Sequence, residues 1–170
     1  IQIVKEQATP DGNFPTVKSP NPEEPEALSL ALNLADKTCA EMVMGTAPDC
    51  DRIGLAIKDK NGKMILLNGN QTGSLLVYYV LASMNEKKKL SENGIVIKTI
   101  VTTELINKIA SSFNVECIDV LTGFKYIADL IKQNEGKKKF LAGGEESYGY
   151  LAGDFVRDND AVIAASIIAE

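Results

Sequence analysis

Two carboxylates and an arginine stand together in a short polar segment between two apolar stretches. The segment reads Asp49-Cys50-Asp51-Arg52, so its aspartates alternate along the chain. On an extended turn, alternate side chains can point at one cation, and such oxygen ligands suit Mg²⁺, which also keeps water and phosphate as ligands. Arg52 can bind a phosphate group through two parallel hydrogen bonds. A solvated turn without a ligand is the alternative, and spacing alone favours it.

A glycine-rich segment is the second place where the residues suit chemistry. It reads GGEESYG (143–149) and follows an apolar, strand-like run. Glycines let a ligand approach the backbone, and the carboxylates of Glu145 and Glu146 and the hydroxyl of Ser147 can hydrogen-bond a polyol such as a sugar. An ordinary glycine turn with surface glutamates explains the residues equally well.

Two further segments carry weaker signals. LTGFK (121–125) is a strand-to-helix turn that can present a hydroxyl, a backbone N–H and a cation to an anionic ligand, although helix capping is the default role of Thr122. RDND (157–160) begins with Arg157, and its acidic residues are explained by the start of a helix.

The composition excludes several kinds of catalysis and partner. The chain has 170 residues, no His, three Cys and a formal net charge of −5. Without His there is no Ser-His-Asp triad, Cys-His pair or His-rich zinc site, so proton transfer falls to carboxylates, Lys, Tyr or water. The acidity argues against nucleic-acid binding, and no apolar run approaches the roughly 18 residues of a membrane-spanning helix. Three separate cysteines without a CxxC pair favour a reducing compartment, and we expect the cytoplasm.

The hydrophobic pattern predicts the elements that position these segments. Helical spacing predicts helices at 26–37, 71–86, from Thr102 or Thr103 to 113, 123–133, and from 158–160 onward. Apolar runs predict strands at 1–4, 41–45, 53–58, 64–67, 95–101, 115–120 and 140–142, with an Asn-Gly hairpin turn between 53–58 and 64–67 and a proline-rich loop at 8–25. The alternation predicts an α/β fold with a mixed, mostly parallel sheet flanked by helices.

Four segments, in this order, resemble the α-D-phosphohexomutases, the family of phosphoglucomutases, phosphomannomutases and phosphopentomutase-like enzymes. They are PDGNFPTVKSPNPEEPEAL (10–28), APDCDRIGLAI (47–57), LTGFKYIADLI (121–131) and GEESYGYLAGDFVRDNDAV (144–162). The resemblance implies the end of domain two, with its metal loop, at residues 1–68, and domain three, with its sugar-recognition loop, at 69–170. It also implies a fragment of a four-domain enzyme, because the family's phosphoserine and phosphate-binding motifs are missing.

The resemblance implies an intramolecular phosphotransferase, which is an isomerase. The complete enzyme would move phosphate between C1 and C6 of a hexose, or C1 and C5 of a pentose, through a sugar bisphosphate that also serves as activator. By carry-over, Asp49 and Asp51 would bind Mg²⁺ and Arg52 would contact the transferring phosphoryl group. The implied substrate-binding residues are Gly144, Glu145, Ser147, Thr122, Gly123, Lys125 and Arg157. The implied partners are a hexose or pentose phosphate and the remaining domains of the same chain, with no nucleic acid and no membrane.

Two positions depart from the family pattern. Ala47 stands where the metal loop has the first of three alternating aspartates, and the lost carboxylate predicts weaker Mg²⁺ binding. Asn159 stands where Lys is common, and an amide cannot transfer a proton in its place. The isolated chain is expected to lack mutase activity, because the phosphoserine domain is missing. The alternatives are a non-enzymatic sugar-phosphate binding module and a purely structural protein.

Overall fold

Seven strands and five α-helices form the chain in the computed structural model, which describes all of residues 1–170. In chain order they are α1 (Ser29–Thr38), β1 (Met42–Thr46), β2 (Ile53–Lys58), β3 (Met64–Leu67), α2 (Gly69–Glu86), β4 (Gly94–Thr99), α3 (Leu105–Ser112), β5 (Glu116–Val120), α4 (Phe124–Gln133), β6 (Lys139–Gly144), β7 (Tyr150–Ala152) and α5 (Ala161–Ala169). Residues 8–25 form turns and bends, as their prolines predict. No helix is both long and apolar enough to cross a membrane.

The first sheet is antiparallel, with the order β1-β2-β3. Its β2–β3 hairpin is closed by Asp59, whose carboxylate accepts hydrogen bonds from the backbone N–H groups of Asn61 at 2.9 Å and Lys63 at 2.8 Å. Gly62 completes the turn with a φ of +81°, a conformation that glycine adopts without strain. Helix α1 packs against this sheet through a small core of Ala35, Val43 and Ala56.

The second sheet is mixed, with the order β5-β4-β6-β7. Strand β4 pairs in parallel with both β5 and β6, while β7 is antiparallel to β6. Every residue of β4 is buried, as expected of a central strand covered by helices on both faces. Val96 faces a core shared with α2, α3 and α5, whereas Ile95 and Ile97 face a core shared with α4. The predicted α/β fold with a mixed sheet flanked by helices is therefore confirmed.

Two sequence predictions are wrong at the level of strands. Residues 1–4 form no strand, and only a short 3₁₀ helix follows at Lys5–Gln7. Ile1 and Ile3 are exposed, so their apolar side chains meet no partner strand. The glycine-rich segment is not all loop, because β6 extends to Gly144 and β7 begins at Tyr150. Its glycines indicate a loop, but here they belong to a close-packed strand end.

The three cysteines differ in exposure, which gives a simple test of the fold. Cys39 and Cys50 are exposed, while Cys117 on β5 is partly buried. Burial, reinforced by the charge of Asp119, raises the pKa of Cys117 to about 11. At pH 8 we expect Ellman's reagent to label Cys39 and Cys50 at least about tenfold faster than Cys117, because the thiolate is the reactive form. Peptide mass spectrometry would identify the labelled sites, and rapid labelling of Cys117 would contradict the packing of β5.

Candidate functional site

The polar segments lie at the carboxyl ends of three neighbouring parallel strands. Thr99 ends β4, Val120 ends β5 and Gly144 ends β6, so the segments that follow them open at one edge of the sheet. The chain leaves β4 and β5 toward opposite faces, because α3 and α4 pack in different cores. A reversal of this kind leaves a crevice at the sheet edge, which is the usual ligand position in open α/β sheets.

Glu145 spans this crevice. Its Oε1 accepts a hydrogen bond from the backbone N–H of Gly123 at 2.8 Å. Gly123 follows β5 and Glu145 follows β6, so the contact crosses the end of β4, which lies between them. Gly123 has a φ of +114°, a backbone conformation that is strained for residues other than glycine. The contact fixes one carboxylate oxygen of Glu145 and leaves the other oxygen without a protein partner.

Glu146 turns to a different neighbour, the turn that follows β4. Its Oε2 lies 3.0 Å from the hydroxyl oxygens of both Thr99 and Thr102. The two hydroxyl oxygens are 2.7 Å apart, and both threonines are buried. Consecutive glutamates of one loop are thus bound to the ends of two different strands. The residue pattern indicated a sugar-binding carboxylate at Glu146 and a helix start at Thr102 or Thr103, but it did not indicate that Glu146 contacts Thr99 and Thr102.

Lys98 lies fully buried beneath the same turn. Its Nζ is 2.9 Å from Asp119 Oδ1 and 3.0 Å from Glu104 Oε1, and it donates to the carbonyl of Thr102 at 3.1 Å. Burial opposes the charge, but the hydrogen bonds to Asp119 and Glu104 outweigh it and raise the pKa of Lys98 above its ordinary value. Lys98 therefore stays charged and holds the turn that carries Thr99 and Thr102.

The aspartate segment reaches this edge from the first sheet. The backbone of Arg52 pairs with that of Gly149 in an antiparallel bridge. The carbonyl of Cys50 accepts a hydrogen bond from the N–H of Ala161, the first residue of α5, at 3.0 Å. These contacts place the aspartate segment directly beside the glycine-rich loop. The two segments, which the residue pattern selected separately, therefore lie side by side in one candidate site.

Arg52 has partners that the sequence analysis left without a role. Its Nη1 donates to Asn21 Oδ1 at 3.2 Å and to Glu23 Oε1 at 3.3 Å, while its Nε donates to Asp51 Oδ1 at 3.3 Å. A cleft of about 470 Å³ opens beside it, lined by Ser19, Pro20, Asn21, Pro48, Asp49 and Arg52. The signal for Asn21 and Glu23 was their place in the segment 10–28 that carries the family resemblance.

The two aspartates, Asp49 and Asp51, can supply two of the ligands of a cation. Burial and the contact with Asp49 raise the pKa of Asp51 above its ordinary value, although Arg52 acts in the opposite direction. Such a pair fits Mg²⁺ that takes its remaining ligands from water and phosphate. It does not fit a site made of protein ligands alone, because no group of three or more His, Cys, Asp or Glu side chains could hold a metal ion.

Three of the other predicted residues surround the crevice without protein partners for their side-chain hydrogen-bonding groups. Thr122 and Lys125 are exposed, and Ser147 is half-buried. The ammonium of Lys125 lies 4.9 Å from the ring centre of Tyr126, its neighbour in α4. This contact leaves the N–H groups of the ammonium free to donate to a ligand. Their polar groups are therefore available to a ligand.

Arg157 and Asn159 have different surroundings. Arg157 forms an ion pair with Glu135, which lies beyond the carboxyl end of α4, and makes no hydrogen bond to the other predicted site residues. The side chain of Asn159 packs against Gly149, where a Cβ atom would lie 2.2 Å from Asn159 Nδ2. Its Oδ1 is buried without a hydrogen-bond partner. The structure thus brings Asn159, and not Arg157, against the glycine-rich loop.

Family comparison accounts for both halves of the site. Residues 1–62 match the family described as "Phosphoglucomutase/phosphomannomutase, alpha/beta/alpha domain II", and residues 68–170 match "Phosphoglucomutase/phosphomannomutase, alpha/beta/alpha domain III". The chain belongs to the phosphoglucomutase/phosphomannomutase family. Within this family, Asp49, Asp51 and Arg52 fall in the domain II match and Glu145 in the domain III match. The residues of the candidate site in this phosphoglucomutase/phosphomannomutase chain are therefore drawn from both matched domains.

Relatives of this phosphoglucomutase/phosphomannomutase chain are considerably longer. The phosphoglucomutase of Staphylococcus saprophyticus is 46% identical over 162 residues, which are 94% of this chain and 29% of that protein. The phosphoglucomutase of Staphylococcus aureus strain USA300 is 40% identical over 168 residues, which are 99% of this chain and 30% of that protein. The chain thus spans less than a third of the length of these relatives.

Solved structures of the superfamily share the fold. A phosphoglucomutase/phosphomannomutase family protein from Burkholderia thailandensis superposes with a TM-score of 0.69 at 20% identity, covering 93% of this chain and 31% of that one. The N-acetylphosphoglucosamine mutase of Aspergillus fumigatus, solved in complex with GlcNAc-6P and magnesium, gives a TM-score of 0.55 at 12% identity and covers 75% of this chain and 29% of that one. At these identities the likeness shows the fold.

Proposed function

We propose that this chain is the part of a phosphosugar mutase that holds the sugar and its magnesium ion. Residues 1–68 would be the end of domain II and residues 69–170 domain III, in a longer enzyme whose other domains supply the phosphoserine and the substrate-phosphate site. The backbone bridge between Arg52 and Gly149 carries the proposal. It puts a cation that can bind phosphate beside a loop whose groups can hydrogen-bond a sugar, and phosphate transfer on a sugar would require both.

The sugar would be bound by the crevice at the carboxyl edge of the second sheet. Glu145 has one carboxylate oxygen held by Gly123 and one free to accept from a sugar hydroxyl. Ser147, Thr122 and Lys125 add hydroxyl and ammonium groups around it. Hydrogen bonds to ring hydroxyls can form with the sugar in either of two orientations, and each half of the mutase reaction needs one of them.

The transferring phosphoryl group would meet Arg52 and the aspartates. Nη1 and Nε of Arg52 are engaged by Asn21, Glu23 and Asp51, which leaves Nη2 to donate to a phosphate oxygen. Asp49 and Asp51 would hold Mg²⁺, which when bound offsets the negative charge on the phosphoryl group.

The substrate would be a hexose or pentose phosphate. The reaction would move phosphate between C1 and C6, or C1 and C5, with a sugar bisphosphate as intermediate and activator. Support comes from the Staphylococcus relatives, named phosphoglucomutase, and from the fungal mutase solved with GlcNAc-6P and magnesium. We also propose a cytoplasmic location, which the three unpaired cysteines support.

A chimera tests the proposal directly. Residues 1–170 would replace the matching segment of the Staphylococcus saprophyticus phosphoglucomutase. We expect the chimera to convert glucose 1-phosphate to glucose 6-phosphate in the presence of glucose 1,6-bisphosphate, and the isolated chain to show no turnover. In the chimera, Glu145→Ala should lower kcat/KM about tenfold to 100-fold, because a hydrogen bond to a charged group contributes about 1.5–3 kcal/mol. A coupled dehydrogenase assay measures both.

Controls separate the mutase from its alternative. Glu26→Ala alters an exposed glutamate before α1 and should leave the kinetics unchanged. The alternative, a non-enzymatic sugar-phosphate binding module, is favoured by Ala47 and Asn159. It predicts a folded chimera that binds glucose 6-phosphate in calorimetry without turnover. That result, or turnover by the isolated chain, would contradict the proposal.

A further inference from the structure

We propose that Glu146 is a positioning residue that aims its two neighbours, Glu145 and Ser147, at the sugar. The inference rests on the proposed function, because it concerns how the sugar-binding loop acquires its geometry. The side chain of Glu146 does not contact Gly123, the partner of Glu145, but binds Thr99 and Thr102 at the end of β4. Its role would therefore be exerted through the backbone of the loop.

The side chain of Glu146 is held by two buried hydroxyls. Thr99 is fully buried and Thr102 is 4% exposed, and both hydroxyl oxygens lie 3.0 Å from Glu146 Oε2. Because the two hydroxyls are 2.7 Å apart and can bond each other, opening the contact leaves one hydroxyl hydrogen without an acceptor, at a cost of about 1–3 kcal/mol. The partners are 47 and 44 residues away from Glu146 in the chain, so they fix the loop against a separate element.

The main chain of Glu146 is held as well. Its carbonyl lies against Gly69 so closely that a Cβ atom at position 69 would be 1.7 Å from the carbonyl oxygen. The loop is closed on itself by the N–H of Glu145, which donates to the carbonyl of Gly149 at 2.8 Å. With the middle residue fixed by side chain and main chain, the residues on either side have little freedom of direction.

Lys98, beneath Thr99 and Thr102, holds the turn that contacts Glu146. Lys98 carries a charge at a fully buried position, which costs free energy unless the charge is paired. Its contacts with Asp119, Glu104 and the carbonyl of Thr102 hold the turn that presents the two threonine hydroxyls. A continuous path of polar contacts thus runs from Lys98 through Thr102 to Glu146.

Amide hydrogen exchange in the 170-residue chain tests the positioning role without any ligand. In Glu146→Ala we expect the N–H of Gly123, which donates to Glu145, to exchange at least about tenfold faster, since one lost contact of about 1.4 kcal/mol opens the loop tenfold more often. The N–H of Val96 in the core strand β4 should keep its rate. Glu146→Gln should restore slow exchange, because its amide oxygen accepts from the same hydroxyls. Unchanged exchange at Gly123 in Glu146→Ala would overturn the inference.

Kinetics in the chimera test the consequence for sugar binding. Glu146→Ala should raise KM for glucose 1-phosphate about tenfold with a smaller change in kcat, and Glu146→Gln should stay within about threefold of the parent. Glu92→Ala, at an exposed glutamate before β4, is the matched control. An active chimera whose KM is unaffected by Glu146→Ala, or equally affected by Glu92→Ala, would refute the role. An inactive parent chimera would refute the proposed function alone, and the exchange measurement would then decide the positioning role.

Discussion

An aspartate at position 47 is expected to make the melting temperature of the chain depend on Mg²⁺. Ala47 is 1% exposed, so Ala47→Asp would bury part of a third carboxylate near Asp49 and Asp51. Without a cation, burial and mutual repulsion cost about 1–3 kcal/mol and should lower the melting temperature by about 2–12 °C in EDTA. Millimolar Mg²⁺ should reverse this loss, because a ligand that binds only the folded state stabilises it. Differential scanning calorimetry with and without Mg²⁺ measures the effect.

The matched control for this variant is Ala47→Asn, which has nearly the same shape and no charge. It should lose stability equally in EDTA and in Mg²⁺, because an amide adds no charge to the site. Calorimetric titration should show Mg²⁺ binding at least about tenfold more tightly to Ala47→Asp than to the parent, since three carboxylates hold the ion better than two. In the active chimera, Ala47→Asp should raise turnover at limiting Mg²⁺. An identical response of the Asp and Asn variants would show that Asp49 and Asp51 are not metal ligands.

Elements decided by local sequence were predictable. Strands β2 and β3 have the predicted bounds, because the Asn-Gly turn and the flanking apolar runs specify the hairpin locally. The start of α5 was predictable from Asp160, whose carboxylate accepts from the N–H of Ile163 at 2.9 Å. Thr103 similarly accepts from the N–H of Leu105 at the start of α3. In each case the interacting residues are within a few positions of one another.

Features that depend on distant partners were not predictable in the same way. Residues 1–4 have the composition of a strand and lack a neighbour to pair with, whereas β7 has few strand signals and a ready partner in β6. Likewise the motif resemblance selected Arg52, but its contacts with Asn21 and Glu23 join residues 31 and 29 positions apart. Patterns of residue type select candidate groups for chemistry. They do not indicate which distant residues hold those groups in place.

The paired glutamates illustrate the limit most clearly. Glu145 and Glu146 have identical side chains at adjacent positions, and only the resemblance favoured Glu145 as the sugar ligand. Tertiary structure separates them, because Glu145 reaches Gly123 while Glu146 reaches Thr99 and Thr102. Each carboxylate is held through one oxygen, that of Glu145 by a backbone N–H beyond β5 and that of Glu146 by two buried hydroxyls after β4. The roles that we propose for the two residues, binding for Glu145 and positioning for Glu146, thus rest on their different partners.

Gly69→Ala is expected to lower the free energy of unfolding by about 3 kcal/mol, although helix propensity alone predicts a gain. Gly69 is the first residue of α2, where alanine is favoured over glycine by up to about 1 kcal/mol. An alanine Cβ there would lie 1.7 Å from the carbonyl oxygen of Glu146 and 2.6 Å from its carbon. Backbone cannot rotate aside as a flexible side chain can, so the overlap should cost as much as severe overpacking in a core. Urea unfolding followed by circular dichroism measures the change.

Gly12→Ala is the control, because nothing lies within 4 Å of a Cβ atom at that position. It should change the free energy of unfolding by less than about 0.5 kcal/mol, as exposed substitutions usually do. If Gly69→Ala displaces the glycine-rich loop, the N–H of Gly123 should also exchange faster in that variant, since its acceptor Glu145 moves with the loop. Stabilisation by Gly69→Ala would instead show that α2 and the loop do not pack in this way. It would remove the main-chain part of the argument for Glu146 and leave only its contacts with Thr99 and Thr102.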